Sequence, residues 1–149
     1  MSALDRVRSV LRAAGIDPEI REFPDGTRTA PEAAAAVGCE VAQICKSLVF
    51  RVGDAPLLIV ASGANRVDEA RFGAVKADAR WVREQTGFAI GGVPPVGHAR
   101  PIDTVVDEDL LRHDVVWAAA GTPRAVFAIA PDRLVAVTGA RVARVSPGT

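Results

Sequence analysis

The sequence predicts a mixed α/β domain whose sheet contains both parallel and antiparallel strands. Strand-like runs outnumber helical ones, and the two kinds interleave irregularly along the 149 residues. The segment VGDAP (52–56) has the composition of a hairpin turn between two apolar runs, so at least one pair of strands is antiparallel. No repeat, linker or domain boundary interrupts the pattern. We therefore expect a single domain over residues 1–149, with a mixed sheet that can close partly on itself.

Helices are predicted where capping residues precede segments of helical spacing. The first is capped by Ser2, with Asp5 in a capping-box-like position, and stops at Gly15. The second is capped by Thr29, contains an early proline and stops at Gly38. The other helical segments are NRVDEARFGA (65–74), ARWVREQTG (79–87), the turn EDLLRH (108–113) and PDRLVAVTG (131–139).

Strands are predicted at short apolar runs that turn residues separate. Two of them flank the hairpin turn, which places the first of the pair inside the sheet. The predicted strands are EIREF (19–23), CKSLVF (45–50), LLIVAS (57–62), TVVD (104–107), DVVWAAA (114–120), RAVFAIA (124–130) and RVARV (141–145).

Composition restricts the class of protein. The 18 basic and 18 acidic residues give a formal net charge of zero, which does not favour a specific DNA-binding protein. No run approaches the ~18 apolar residues of a membrane span, and the N-terminus lacks the apolar core of a signal peptide. We expect a cytoplasmic protein with no membrane partner.

The cysteines and histidines predict neither a metal site nor a cofactor. Cys39 and Cys45 are not spaced as metal ligands, and only His98 and His113 accompany them. In a reducing compartment both cysteines are expected to be small buried hydrophobes without a disulfide.

Lys46 has an unusual position in its predicted strand. Strand alternation places Ile44, Lys46, Leu48 and Phe50 on one face. Such a lysine either extends its amine to water along an apolar stem or faces a pocket. For the strand taken alone the first arrangement is the usual one. The features of the rest of the chain favour the second, in which the amine faces a pocket with Leu48 or Phe50 in its wall.

The segment TGFAIGGVPPVGH (86–98) predicts a rigid loop. Adjacent glycines allow a ligand to approach the backbone closely, and adjacent prolines hold the chain in one conformation. The glycine spacing is not that of a dinucleotide or phosphate loop. By itself the segment is also compatible with an ordinary turn.

Together, the strand, the loop and the later ID…VVWAAAG segment resemble the YbaK/ProX family of aminoacyl-tRNA deacylases, which includes the editing domain associated with prolyl-tRNA synthetase. The matching motifs are K-[ST]-L-x-[FV] and T-G-[FY]-x-x-G-G-[VI]-x-P, and the resemblance extends from about Leu4 to Val145. It implies a compact α/β fold with a curved mixed sheet and outer helices. It also implies hydrolysis of the ester that joins a wrong amino acid to tRNA.

The resemblance implies which residues form the site. Lys46 takes the position of the essential lysine, and the expected substrate-binding residues are Ser47, Gly91, Gly92, Val93, Pro94, Pro95, His98, Ala119 and Ala120. The sequence departs from the family at Pro94, where many relatives have serine or threonine. It also has Ala119, Ala120 and Val126 where some cysteine-removing relatives are polar. These small residues predict a preference for alanine, serine, threonine or cysteine esters over aromatic ones.

The expected chemistry is stabilisation of an oxyanion by the Lys46 ammonium and loop amides. No nucleophile elbow is present, so the nucleophile is water or a group of the substrate. His98 follows the loop and is a weaker candidate for substrate contact, whereas His113 is expected at the surface.

The expected partner is mischarged tRNA, with an aminoacyl-tRNA synthetase as a second candidate. Basic residues between the hairpin and the loop are candidates for phosphate contacts, although interspersed acidic residues also fit a solvated helical face. The alternative function is a non-catalytic module of the same fold that binds aminoacyl-tRNA or a synthetase. The basic candidates are Arg66, Arg71, Lys76, Arg80 and Arg83.

Overall fold

A computed structural model describes residues 1–147. Helices and strands alternate irregularly in it, as the sequence predicts. The helices are α1 (Ala3–Ala13), α2 (Ala30–Val37), α3 (Ala79–Thr86) and α4 (Pro131–Thr138). The strands are β1 (Glu19–Glu22), β2 (Cys45–Val52), β3 (Ala55–Ser62), β4 (Val75–Lys76), β5 (Asp103–Asp107), β6 (Val116–Ala119), β7 (Ala125–Ile129) and β8 (Arg141–Ala143). Three short 3₁₀ helices cover Val41–Gln43, Glu69–Phe72 and Glu108–Arg112.

The predicted helix caps are present. The Ser2 hydroxyl accepts a hydrogen bond from the Asp5 amide at 3.0 Å, and the Thr29 hydroxyl accepts one from the Glu32 amide at 3.2 Å. Gly38 ends α2 with a φ of +79°. None of the helices in residues 1–147 is both long enough and apolar enough to cross a membrane.

The strands form two sheets. The larger has the order β4-β2-β3-β5-β8, with antiparallel pairs at β4-β2-β3 and parallel pairs at β3-β5-β8. The smaller, β1-β7-β6, is antiparallel. The mixed α/β class is therefore confirmed. The strands do not form one continuous sheet, however, because within residues 1–147 the backbones of the two sheets are joined only by an isolated bridge between Ile44 and Trp117.

Strand β2 has an open edge beside that bridge. The Gly63 amide donates to the Ile44 carbonyl at 2.6 Å, so the even-numbered residues of β2 exchange hydrogen bonds with β3. The peptide groups of Cys45, Ser47 and Val49 consequently point away from β3. On that side β4 pairs only with Phe50 and Arg51. Among the described residues, no strand therefore forms a ladder with 45–49 on this side.

Both faces of the larger sheet are buried. One face packs with α1, α3, the 88–96 loop and the smaller sheet, through side chains such as Leu11, Val82 and Phe127. The other is covered by residues 67–74 and the C-terminal segment near Val145. Lys46 lies on this second face, beside Leu48 and opposite Ala61.

Candidate functional site

A cavity of about 1110 Å³ lies along the open edge of β2. Its other walls are β6, the start of α2, the 90–93 loop and the segment 63–69. This volume is slightly above the ~300–1,000 Å³ of ordinary ligand pockets, so the cavity has room for more than one amino acid. Because the edge is unpaired, residues from both faces of β2 line the same space. Those of the sequence-predicted set are Lys46, Ser47, Arg66, Lys76, Gly91, Val93 and Ala119.

The amine of Lys46 is partly buried in this cavity. Its Nζ donates a hydrogen bond to the Asn65 carbonyl at 2.5 Å. Burial lowers the pKa of Lys46 below its ordinary value, and the nearby Asp107 carboxylate acts in the opposite direction. The side chain thus brings a positive charge into a partly dry space, where its interaction with a developing negative charge is stronger than in water.

Ser47 contributes a hydroxyl that lacks a partner. Its Oγ is buried and makes no hydrogen bond within the described part of the chain. Buried polar groups are normally hydrogen-bonded, so an unpaired hydroxyl in a cavity wall is a candidate contact for a bound group. The outward peptide groups of Ser47 and Val49 add backbone donors and acceptors along the same edge.

The glycines of the loop have different roles. Gly91 has a φ of +94°, a conformation that favours glycine, and open space surrounds its α-carbon. Gly92 packs against the turn that follows β6, where an added Cβ would lie 2.7 Å from the Thr122 Cα. The Gly92 amide is bonded to the Ala89 carbonyl at 3.1 Å, so it is not free to contact a ligand.

The two prolines and His98 support the loop from behind. Pro94 and Pro95 are buried and lie outside the cavity lining, as does Gly92. His98 also lies outside it, and its Nε2 donates to the Pro94 carbonyl at 2.7 Å. Its ring makes an edge contact with Phe88, with centroids 6.3 Å apart. Burial lowers the pKa of His98, while the bond to Pro94 opposes this shift.

The end of β6 contributes only one of its two predicted residues. Ala119 lines the cavity, whereas Ala120 is fully buried outside the lining. Trp117 and Val126 complete an apolar wall that the sequence did not identify as a whole. The Arg21 guanidinium covers the Trp117 ring at 4.8 Å from its centroid, a cation–π contact that helps to hold the ring in place.

The basic residues separate into two groups. Arg66 and Lys76 line the cavity, together with Arg28, which sequence reasoning missed. The other three lie outside the cavity lining and are exposed. Arg71 donates to the Arg144 carbonyl at 3.0 Å, Arg80 pairs with Glu84 at 3.2 Å, and Arg83 lies on the same helix as Arg80.

Cys45 also lines the cavity but is not activated as a nucleophile. It is buried, and both burial and the Asp107 carboxylate raise its pKa. Cys39 is partly exposed, and neither thiol is in a disulfide. Among residues 1–147, no three His, Cys, Asp or Glu side chains cluster as metal ligands would.

The part of the chain missed by the sequence analysis is the start of α2. Thr27, Thr29 and Pro31 border the cavity together with Arg28. Their only local signal is the helix cap, which predicts where α2 begins and not what it faces.

Comparison with known proteins identifies the family. The sequence model of the aminoacyl-tRNA editing domain family matches residues 24–137 of this chain. An uncharacterised protein of Bacillus subtilis, YwhH, is 32% identical over 89% of this chain and 88% of its own length.

Two solved structures have the same fold over almost their whole length. One, described as a candidate trans-editing enzyme for prolyl-tRNA synthetase, is 48% identical over 99% of both chains, with a TM-score of 0.91. The hypothetical protein APE2540 is 33% identical over 95% of this chain and 99% of its own, with a TM-score of 0.86. The chain therefore belongs to the family of aminoacyl-tRNA editing domains, in agreement with its resemblance to the YbaK/ProX deacylases.

Proposed function

We propose that this protein is a trans-editing deacylase that hydrolyses the ester between a wrong, small amino acid and tRNA. One observation carries the proposal: a single cavity combines the partly buried Lys46 amine, the unpaired Ser47 hydroxyl and the Gly91 turn. The similar protein described as a candidate trans-editing enzyme supports extending the proposal to products of prolyl-tRNA synthetase. We also propose that the protein acts in the cytoplasm, where these products are made.

The residues have separate roles in this proposal. The Lys46 ammonium and the Gly91 amide stabilise the negative charge that forms on the ester carbonyl oxygen. Water attacks the carbonyl carbon, or a hydroxyl of the substrate attacks first and water then hydrolyses the ester so formed. By either route the ester bond to the tRNA oxygen breaks and the amino acid leaves with a free carboxyl group. The tRNA oxygen takes a proton and becomes the free terminal hydroxyl. The Ser47 hydroxyl and the outward peptide groups of β2 hold the amino acid and the terminal ribose.

The cavity walls account for the proposed choice of amino acid. Part of the cavity wall is apolar and uncharged, and its only hydrogen-bonding side-chain group is the ring nitrogen of Trp117. The residues of this part are Val93, Trp117 and Ala119. Small apolar or slightly polar side chains fit such a wall. An apolar pocket discriminates a methylene by only ~1–3 kcal/mol, so a second hydrolytic step after the synthetase improves fidelity.

The tRNA end requires positive charge at the mouth of the cavity. We propose that Arg66, Lys76 and Arg28, which all line the cavity, contact its phosphates. Arg71, Arg80 and Arg83 are assigned to more distant phosphates. The exposure of all three, and the ion pair between Arg80 and Glu84, predict small individual contributions.

The test is release of amino acid from mischarged tRNA by catalytic amounts of protein. The panel contains alanyl, seryl, threonyl, cysteinyl and phenylalanyl esters on tRNAs for proline and for two other amino acids. We expect turnover of the small esters and almost none of the phenylalanyl ester. Binding of the same tRNAs without turnover would instead identify a non-catalytic module.

Variants of the only two lysines separate chemistry from binding. Lys46→Met should lower kcat by roughly 100-fold or more, the effect of removing one oxyanion donor. Lys76→Met should raise KM and its dependence on salt while kcat is retained. A Lys46→Met protein with the kcat of the wild type would refute the proposed mechanism.

A further inference from the structure

A buried polar network lies directly behind the Lys46 amine. Strands β3 and β5 are parallel neighbours, with Val60 beside Val106, so their carboxyl ends meet at one edge of the sheet. Asp107 ends β5 there and is only 1% exposed. A charge at such a depth is costly unless hydrogen bonds compensate for it.

Three donors compensate the Asp107 carboxylate. They are the Ser62 amide at 2.9 Å, the Asn65 side-chain amide at 2.8 Å and the Asp109 amide at 3.0 Å. The Asn65 amide also donates to the Asp109 carboxylate at 2.7 Å. Bonds to charged acceptors are about twice as strong as neutral ones. Both hydrogens of the Asn65 side chain are therefore held by carboxylates.

This arrangement fixes the Asn65 carbonyl. The backbone N–H of Asn65 donates to the Ser62 carbonyl at 2.9 Å, and this bond closes the turn after β3. The carbonyl of Asn65 then accepts the bond from the Lys46 amine. A lysine side chain has many accessible rotamers, so an anchored acceptor reduces the range of positions open to the amine.

We propose that Asn65 is a positioning residue: anchored by Asp107 and Asp109, it holds its backbone carbonyl where it aims the Lys46 amine along the open edge of β2. The inference rests on the proposed function for its catalytic consequence, and on the network alone for its geometry. Asn65 does not contact the reacting ester.

The same network affects the protonation of Lys46. The Asp107 carboxylate raises the pKa of the Lys46 amine and opposes the larger, lowering effect of burial. Asp107 and Asp109 lie behind the amine, and Arg66, Asp68 and Glu69 line the cavity in front of it. The Asp107 carboxylate thus favours the charged form that the mechanism requires and offsets part of the effect of burial.

Nuclear magnetic resonance can test the positioning without substrate. Growth on lysine labelled with ¹³C at Cε gives signals from two side chains, Lys46 and Lys76, because the chain contains no other lysine. Asp107→Asn should lower the midpoint at which Lys46 titrates. Asp103→Asn is the matched control, because it makes the same change at the exposed start of the same strand, where Asp103 pairs with Arg141. It should leave the midpoint unmoved.

Asn65→Ala is the second variant, since the Asn65 side chain is only partly buried, whereas Asp107 is buried, and its loss should disturb folding less. It should change the Cε shift and titration midpoint of Lys46 and leave those of Lys76 in place. In deacylation assays its kcat should fall roughly 10- to 100-fold with KM within about twofold, the pattern of a misplaced catalytic group.

The two proposals fail in different ways. A wild-type protein that releases no amino acid would refute the proposed function, while the two titration midpoints would still decide whether Asn65 positions the amine. A Cε shift and titration midpoint of Lys46 that are the same in Asn65→Ala as in the wild type would overturn the positioning role, whatever Asp107→Asn does to the midpoint through its lost charge.

Discussion

Gly92 should be the residue of the 86–98 loop least tolerant of a methyl group. Its backbone does not have a left-handed φ, so an alanine there meets no conformational penalty. The obstacle is contact. A Cβ at Gly92 would lie 2.7 Å from the Thr122 Cα, 2.9 Å from the Thr122 carbonyl carbon and 3.0 Å from the Gly121 oxygen. All three atoms belong to backbone, so no side-chain rotation can relieve the overlap.

The size of the effect follows from these distances. Thr122 has to retreat by about 0.7 Å before its Cα reaches the 3.4 Å of ordinary contact. Overpacking of this kind costs ~1–3 kcal/mol, and the smaller entropy of an unfolded alanine returns ~0.4–1 kcal/mol. We expect Gly92→Ala to lose about 1–2 kcal/mol of unfolding free energy. For a chain of this length, that loss lowers Tm by about 2–8 °C.

Urea unfolding and amide chemical shifts provide the assay. The Thr122 hydroxyl accepts a bond from the Arg124 amide, and its carbonyl accepts one from the Ala125 amide. A displaced Thr122 should therefore shift the amide signals of Thr122, Arg124 and Ala125. Gly53→Ala is the comparison, because Gly53 has a φ of +60° and no neighbour within 4 Å. It should destabilise through strain alone and leave the Thr122 turn unmoved. An unchanged urea midpoint for Gly92→Ala, with unshifted amides in the turn, would refute the close-contact argument.

Three further predictions concern the cavity itself. Lys46→Met should not lower stability at neutral pH, because burial lowers the pKa of Lys46 and so penalises its charged form in the folded state. The stability of the wild type should therefore rise relative to that of Lys46→Met as pH increases through the lowered pKa. Parallel thermal melts between pH 7 and 10.5 measure this, and a gap that widens against the wild type would contradict it. Ser47→Ala should leave Tm within about 2 °C, because the hydroxyl has no partner, yet raise KM by roughly 2- to 12-fold, the value of one hydrogen bond. Equal KM values for the two proteins would exclude Ser47 from substrate contact. Ala119→Leu fills the wall of the cavity and should reduce activity on threonyl esters more than on alanyl esters, whereas an equal loss on both would place the amino acid elsewhere.

Local signals were sufficient for most elements of this fold. Caps at Ser2 and Thr29 and the glycine stop at Gly38 predicted α1 and α2, because the residues that decide a helix end lie within a few positions of it. Strand β4 was missed, since it contains only the exposed Val75 and Lys76 and shows no alternation. The division into two sheets was also missed. It depends on β1 pairing with β7, more than 100 residues away.

The site was predictable as a set of residue types and not as an arrangement. The strand and loop motifs located Lys46 and Gly91, and both line one cavity. They did not distinguish Ala119 from its neighbour Ala120, because which one faces the cavity depends on the path of β6 beside β2. The Asn65 network did leave a signal. The apolar runs of β3 and β5 each end in polar residues, and the ends of parallel neighbours meet at one edge of the sheet. The local sequence does not show, however, that β3 and β5 are neighbours.

The open edge of β2 has a consequence for how the specificity of this protein can change during evolution. The peptide groups of Ser47 and Val49 are present whatever side chains those positions carry, proline excepted. Mutations can therefore replace the surrounding side chains and change which amino acid is bound while the main-chain contacts remain. Under the proposed function, a change in which amino acid is accepted therefore does not require a change in the backbone that holds the acyl group.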